Sequence, residues 1–164
     1  MNVFEYAMQM ELDGKAYYEE SANKVDSPEL KKILLELASD EDKHYNIFKA
    51  MRDDIPVEYE QATETKILSE VKNVFQILKA ENKDYTFPDE AKEIWVHARE
   101  VEKQAEEFYR KSADEVDDEK KAGILHKIAD EEHKHWVTME NVIKFLDRPN
   151  TWLEDAEWNN LEEY

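Results

Sequence analysis

Two similar stretches decide the fold: residues 37–45, which read LASDEDKHY, and residues 128–136, which read IADEEHKHW. Each contains a glutamate followed three residues later by a histidine. The two pairs are Glu41 with His44, and Glu132 with His135. Residues three positions apart lie on one face of an α-helix, so each pair can bind a single ion from one side of its helix.

A constant step of 91 residues relates the two halves of the chain. This step separates the two Glu-x-x-His pairs, and it also relates Glu11 to Glu102 and Tyr18 to Tyr109. The pattern predicts an internal twofold repeat, in which each half has a lone glutamate on one helix and a Glu-x-x-His on the next. This is the ligand set of a two-metal carboxylate site in a four-helix bundle.

The composition is typical of one all-α domain. The chain has 164 residues, a length that is enough for one domain with a core and short for two. Only two of these residues are glycines and four are prolines, which is typical of a helical protein. Cysteine is absent. Its absence excludes disulfides, thiolate-ligated zinc and iron–sulfur centres within these residues, but it leaves carboxylate and histidine metal sites open.

The charge and hydropathy exclude several partners. A formal net charge of −19 argues against nucleic acid or an anionic membrane as a partner. No apolar run approaches membrane-spanning length, and the first residues, MNVFEYAMQMELDG, lack the features of a signal peptide. We therefore expect a cytoplasmic protein that binds neither nucleic acid nor membrane.

The candidate ligands fall within apolar stripes of the predicted helices. The first helix is predicted from about Val3 to Val25, and Glu11 lies within its buried stripe. A glycine inside a helix costs about 1 kcal/mol relative to alanine, so we expect Gly14 to make room for a bulky group beside that carboxylate. In the second helix the stripe is predicted to continue to Ile55.

The domain organisation follows from the same repeat. We predict a four-helix bundle over residues 1–148, with a long crossover at residues 53–87 that contains a short helix. The crossover is needed because the second and third main helices must run parallel if a twofold axis relates the halves. We expect residues 149–164 to form a tail that packs on the bundle or on a neighbouring subunit, because the tail is rich in large apolar groups. These are Trp152, Leu153, Trp158, Leu161 and Tyr164.

Burial of the glutamates argues for metal. An ionised glutamate in a core is costly unless it is paired or binds a cation, and two divalent cations would balance four carboxylates beside two neutral imidazoles. The six candidate ligands are Glu11, Glu41, His44, Glu102, Glu132 and His135. Oxygen and imidazole ligands without thiolate suit iron, manganese or zinc. The alternative is that one or two of these glutamates lie on exposed flanks of the helices.

Other polar residues are candidates for supporting roles. Tyr18 and Tyr109 each follow a lone glutamate by two helical turns, so they either donate hydrogen bonds to metal-bound carboxylates or are ordinary core tyrosines. Asp40 and Glu131 each precede a candidate ligand, and we expect them to orient a histidine across the bundle. We expect His133, about 200° around the helix from the stripe, together with His97 and His126, to lie outside the site.

These motifs resemble a known family. The segments ELDGKAYY at residues 11–18, Glu41-x-x-His44, residues 102–109 and Glu132-x-x-His135 are similar to the di-iron domain of rubrerythrins and related ferritin-like proteins. The resemblance covers all four main helices and implies a ferritin-like four-helix bundle with two iron ions. It also implies that Glu41 and Glu132 bridge the metals, while the two lone glutamates are terminal ligands.

The resemblance implies a function, with two departures. Rubrerythrins reduce hydrogen peroxide with electrons from a rubredoxin-like iron–sulfur module. The four cysteines of that module are absent here, and Ala105 stands where rubrerythrins tend to have an additional glutamate. We therefore expect an oxidoreductase for hydrogen peroxide or dioxygen that uses a separate electron donor, such as a rubredoxin, and forms a homodimer. An iron-binding or iron-oxidising protein without peroxidase turnover is the alternative, and a bundle retained for protein association is a third hypothesis.

Overall fold

Helices form the whole body of the protein in the computed structural model, which describes residues 2–57, 64–155 and 157–163. In chain order the elements are α1 (Val3–Ala22), α2 (Pro28–Arg52), α3 (Ile67–Glu81), a 3₁₀ turn (Asp89–Lys92), α4 (Glu93–Glu115), α5 (Glu119–Asp147), α6 (Pro149–Leu153) and a 3₁₀ helix (Glu157–Glu163). No strand occurs within these ranges, and the predicted all-α class is confirmed. None of the helices described is long and apolar enough to cross a membrane.

Side-chain caps fix where α2 and α5 begin. The hydroxyl oxygen of Ser27 accepts a hydrogen bond from the Leu30 backbone N–H at 3.2 Å, at the start of α2. At the start of α5, the Asp118 carboxylate accepts from the backbone N–H groups of Lys120 and Lys121. Caps of this kind stabilise a helix by about 1 kcal/mol each.

Two predicted helix ends differ from the structure. Helix α1 ends at Ala22, slightly before the predicted Val25. The prediction that Ile55 continues the buried stripe of α2 is wrong, because α2 ends at Arg52 and Ile55 is 57% exposed. Asp54 has a positive φ of 55°, a left-handed conformation that aspartate tolerates better than most residues and that stops a helix.

The core is divided into two apolar clusters. The Phe75 cluster includes Ile33, Leu34, Phe75, Phe145 and Trp152. The Phe48 cluster includes Phe4, Phe48, Tyr109, Leu125 and Ile128. On each of the four long helices, one or two candidate ligands lie between residues of the two clusters. The bundle therefore has a polar layer across its middle, with apolar packing on both sides.

The direction of each long helix follows from these clusters. Helices α1 and α5 pass from the Phe48 cluster to the Phe75 cluster, and α2 and α4 pass the other way. Helices α2 and α4 therefore run in the same direction. Residues 58–63, which belong to the connection between them, lie outside the described residues. The long crossover and the twofold repeat remain predictions.

The tail packs against its own chain. The Phe75 ring of α3 makes edge contacts with Trp152 and Trp158, with both pairs of ring centroids 5.8 Å apart. The Trp158 indole N–H donates a hydrogen bond to the Trp152 carbonyl at 3.1 Å. Leu161 is also fully buried, whereas Tyr164 lies outside the described residues. The tail thus closes the bundle end that contains the Phe75 cluster.

Candidate metal centre

The six candidate ligands converge in the polar layer between the two clusters. Helices α1 and α4 each supply one glutamate, and α2 and α5 each supply a Glu-x-x-His pair. In the order of the chain they are Glu11, Glu41, His44, Glu102, Glu132 and His135, and each is at most 4% exposed. The alternative that some of these glutamates lie on exposed flanks is therefore wrong.

The ligand atoms form two overlapping groups. In each group, one oxygen or nitrogen atom from each of four residues lies within 4.8 Å of all the others. The first group is Glu11, Glu41, His44 and Glu132, and the second is Glu41, Glu102, Glu132 and His135. Glu41 and Glu132 belong to both groups. Two neighbouring cations could therefore share the carboxylates of Glu41 and Glu132.

Both histidines direct the same ring nitrogen toward the carboxylates. The Nδ1 atom of His44 lies 3.0 Å from a Glu132 oxygen and 3.6 Å from a Glu11 oxygen. In the other half, the Nδ1 atom of His135 lies 3.2 Å from oxygens of Glu41 and Glu102. Nδ1 is therefore the nitrogen that each ring can offer to a metal.

The opposite ring nitrogens contact a second pair of carboxylates. The Nε2 atom of His44 lies 3.1 Å from a Glu131 oxygen, and the Nε2 atom of His135 lies 2.9 Å from an Asp40 oxygen. These contacts cross the bundle, as predicted from the positions of Asp40 and Glu131. A carboxylate that accepts the Nε2–H leaves the Nδ1 lone pair free for a cation.

The two halves differ at this second pair of carboxylates. The Thr65 hydroxyl, in the connection before α3, donates a hydrogen bond to the Asp40 carboxylate and also accepts one from the Ile67 backbone N–H at 3.1 Å. In the part of the chain that the structure describes, no group donates a hydrogen bond to the second oxygen of Glu131. Burial raises the pKa of Asp40, but its hydrogen bond and ion pair with His135 outweigh burial and lower that pKa overall.

The two tyrosines contact the lone glutamates of the opposite half. The Tyr109 hydroxyl donates to a Glu11 oxygen at 2.7 Å, and the Tyr18 hydroxyl donates to Glu102. Both rings are buried. Burial, followed by the negative charge of the contacted carboxylate, raises the pKa of each tyrosine well above its usual value. The hydroxyls therefore keep their protons and act as donors to the carboxylates.

Without metal, the acids cannot all be ionised. Burial and then the charges of Glu11 and Glu132 raise the pKa of Glu41 well above its usual value. Burial and the charge of Glu132 raise the pKa of Glu102 to about 8. Glu11 is the exception: burial opposes its ionisation, but hydrogen bonding with Glu41 and the charge of His44 lower its pKa overall. No lysine or arginine is buried in the described parts of the chain to balance these charges.

The histidines gain protons in the same environment. Burial favours the neutral imidazole, but the charge of Glu11 and hydrogen bonds with carboxylates raise the pKa of His44 well above its usual value. The pKa of His135 rises in the same way, with Glu102 as the principal charge. The metal-free site is therefore partly neutralised by protons that a cation would displace.

The residues present fit a pair of cations. When the glutamates are ionised, no group among the described residues donates a hydrogen bond to three buried carboxylate oxygens of the candidate ligands: Oε2 of Glu11, Oε1 of Glu41 and Oε2 of Glu102. Unsatisfied buried acceptors are costly, and a cation would satisfy them. Gly14 makes the arrangement possible, because a Cβ atom there would lie 2.9 Å from Oε2 of Glu41. The bulky group predicted beside Gly14 is thus the Glu41 carboxylate.

The remaining histidines lie outside the site. The Nδ1 atom of His133 contacts Glu106 at 3.1 Å on the outer side of α4 and α5. His97 is exposed and its ring packs on Tyr17 with the centroids 4.9 Å apart, while His126 is exposed. Sequence reasoning missed Thr65, for which no spacing rule gave a signal. It also assigned the tyrosines without identifying which half they would contact.

Comparison with known proteins identifies a family. The profile of the family described as Rubrerythrin matches residues 2–143. This match confirms the resemblance seen in the sequence and agrees with a ferritin-like helical bundle. Searches of curated proteins and of solved structures found no match.

Proposed function

The chain belongs to the rubrerythrin family, and we propose that it is a dinuclear carboxylate oxidoreductase that binds two iron ions and reduces hydrogen peroxide or dioxygen. The observation that carries the proposal is the pair of buried glutamate and histidine groups that share Glu41 and Glu132. Manganese or zinc would fit the same ligand types, but zinc has no redox chemistry and could not supply electrons for the reaction.

Each candidate ligand has a distinct role in this proposal. Glu41 and Glu132 would be shared by the two metals, because both residues belong to both groups. The lone glutamates, Glu11 and Glu102, would each hold one metal, and each histidine would offer Nδ1 to one of them. When bound, a ferrous pair supplies the two electrons needed to reduce one peroxide.

Four further residues hold these ligands in place. Asp40 and Glu131 accept the Nε2–H of the two histidines, which fixes the tautomer and the plane of each ring. Tyr18 and Tyr109 donate to the lone glutamates and so restrict how each carboxylate can rotate. The tyrosine hydroxyls also hold protons beside the site, and we assign them as the candidate catalytic residues.

The proposed reaction needs an electron source other than an iron–sulfur centre ligated by these residues. The 164 residues contain no cysteine, so none of them can ligate an iron–sulfur centre. We propose an external one-electron donor, such as a rubredoxin, and a homodimeric assembly. The alternative function is that the protein binds and oxidises ferrous iron without peroxidase turnover.

Stopped-flow oxidation of the diferrous protein tests the proposal and separates it from the alternative. We expect hydrogen peroxide to oxidise the site in a single turnover, and steady-state peroxide consumption to require both a rubredoxin and its reductase. The variant Glu41→Ala, which lacks a shared ligand, is the control that should lose the reaction. Much faster oxidation by dioxygen than by peroxide, with no turnover when the carriers are added, would favour iron oxidation instead.

A further inference from the structure

A cavity lies between α1 and α4 and ends at the candidate metal centre. Its volume is about 360 Å³. The carboxylates of Glu11, Glu41, Glu102 and Glu132 line its inner end. Three of these side chains carry the buried oxygens to which no described group donates a hydrogen bond when the glutamates are ionised. The cavity therefore connects the protein surface with the reactive end of the site.

Apolar side chains form much of the wall between the mouth and the carboxylates, although Asp13 and Gln104 also line the cavity. Met10 lines the α1 side, and Ala98, Val101 and Ala105 line the α4 side. Val101 is 40% exposed, although it is a large apolar residue on a helix surface. Exposed apolar residues beside a cavity are a feature of small-molecule sites.

Aromatic side chains lie at both ends of the mouth. At one end the Tyr17 ring packs on His97, and the Tyr17 hydroxyl donates to the Ile94 carbonyl at 2.9 Å, which fixes the ring. At the other end the Tyr6 ring packs on Phe108 with centroids 5.0 Å apart. These contacts define a site with rigid apolar sides.

Small residues keep the inner end of the cavity open. Gly14 and Ala105 face it from α1 and α4. Since any side chain at Gly14 would press on the Glu41 carboxylate, the glycine preserves both the ligand position and the space in front of it.

The volume is much larger than hydrogen peroxide requires. One water molecule takes about 30 Å³ of liquid volume, so a molecule with one more oxygen atom fills only a small part of the cavity. Sites for small organic molecules have volumes of about 300–1,000 Å³ and combine apolar walls with a few polar groups. The cavity has this combination, with four glutamate carboxylates at its inner end.

We propose that this cavity binds an organic hydroperoxide, with the apolar group between α1 and α4 and the hydroperoxide group at the carboxylate end. The inference rests on the proposed function and names its substrate class. The O–O bond of the hydroperoxide breaks, and the products are an alcohol and water. The reaction consumes two protons from solvent and two electrons, one from each of two ferrous ions, which an external one-electron donor then restores.

Binding can be measured without redox chemistry. The probe is cumyl alcohol, the product of cumene hydroperoxide, titrated calorimetrically into the zinc-loaded protein. We expect the wild type to bind, and Met10→Trp and Val101→Trp, which fill the cavity from opposite walls, each to weaken binding about tenfold or more. Leu12→Trp is the matched control, because Leu12 is also on α1 and exposed but does not line the cavity. Equal affinity in all four proteins, or no binding by the wild type, would overturn the inference.

Single-turnover kinetics then separate this inference from the proposed function. With the diferrous protein, we expect the two cavity-filling variants to slow oxidation by cumene hydroperoxide about tenfold more than they slow oxidation by hydrogen peroxide, which needs less space. Reaction with hydrogen peroxide, but no binding of cumyl alcohol to the zinc form, would overturn the inference alone. Binding of the alcohol without oxidation by either peroxide would overturn the proposed function, and with it the assignment of the ligand as a substrate.

Discussion

Chelation should make the stability of the protein depend strongly on pH. The contribution of Glu102 to this pH dependence can be calculated, because its pKa rises from the usual 4.5 to about 8 in the folded, metal-free protein. A group with a raised folded pKa contributes stability that is fully present below the unfolded pKa and is lost as pH rises through the folded pKa. The metal-free protein should therefore lose stability between about pH 5 and about pH 8.

The magnitude follows from the size of this shift. One group that holds a proton only in the folded state changes the free energy of unfolding by about 1.4 kcal/mol per pH unit. Over three units Glu102 alone removes about 4 kcal/mol, a large part of the 5–15 kcal/mol typical of a domain. The pKa values of Glu41, His44 and His135 are raised as well, so these groups act in the same direction. The pKa of Glu11 is lowered, so its ionised carboxylate stabilises the folded protein above about pH 4.5, and this stabilisation is lost as the pH falls below that value.

The assay is urea unfolding, followed by far-ultraviolet circular dichroism, of chelated and zinc-loaded protein at several pH values between about 5 and 8. The zinc-loaded protein should not lose stability with rising pH, because the cations replace the protons. The variant Glu102→Gln should reduce the slope of the chelated protein by about 1.4 kcal/mol per pH unit. A chelated wild type that is as stable at the upper pH as at the lower one would refute the reasoning, and so would equal slopes for the wild type and the variant.

Three further substitutions, together with one control substitution, test individual contacts. Gly14→Ala should weaken metal binding, measured by calorimetry, because the new Cβ atom would lie 2.9 Å from the Glu41 carboxylate. Gly123→Ala is the control, because its Cβ atom would meet nothing within 4 Å and should stabilise α5 by up to about 1 kcal/mol. Equal effects of the two substitutions on metal affinity would contradict the role assigned to Gly14. Trp158→Ala should lower the free energy of unfolding by about 3–5 kcal/mol if the tail is part of the core, and a loss below about 1 kcal/mol would exclude that. Tyr109→Phe should cost about 1.5–3 kcal/mol in urea unfolding of the chelated protein, since it removes a buried hydrogen bond to a carboxylate, and an unchanged midpoint would refute that contact.

The helices and the residues that line the site could be predicted because their signals are local. The Glu-x-x-His spacing places two side chains on one helical face, whatever the rest of the chain does. In the same way, Ser27 before Pro28 and Asp118 before α5 identify helix starts from a few neighbouring residues. Ile55 was assigned wrongly to the buried stripe of α2 because its spacing fits the helical period. The chain leaves the helix before Ile55, at the left-handed backbone conformation of Asp54, and side-chain spacing does not reveal a backbone conformation.

The contacts between helices could not be predicted in the same detail. Tyr18 lies on the same helix as Glu11, yet it donates to Glu102, because the bundle brings the opposite half closer to its hydroxyl. Thr65 reaches Asp40 from the connection before α3, and only tertiary packing decides which residue of a loop contacts a core carboxylate. The cavity between α1 and α4 is likewise a property of how two helices pack.

Anaerobic titration of ferrous iron into the chelated protein tests whether two metal ions share Glu41 and Glu132. The bound metal is counted per chain for the wild type and for Glu41→Ala, Glu132→Ala and Glu11→Ala. We expect two ions per wild-type chain, weaker binding at both positions when either shared glutamate is removed, and loss of mainly one ion for Glu11→Ala. One ion or fewer per wild-type chain, or the loss of a single ion in all three variants, would contradict the sharing of Glu41 and Glu132.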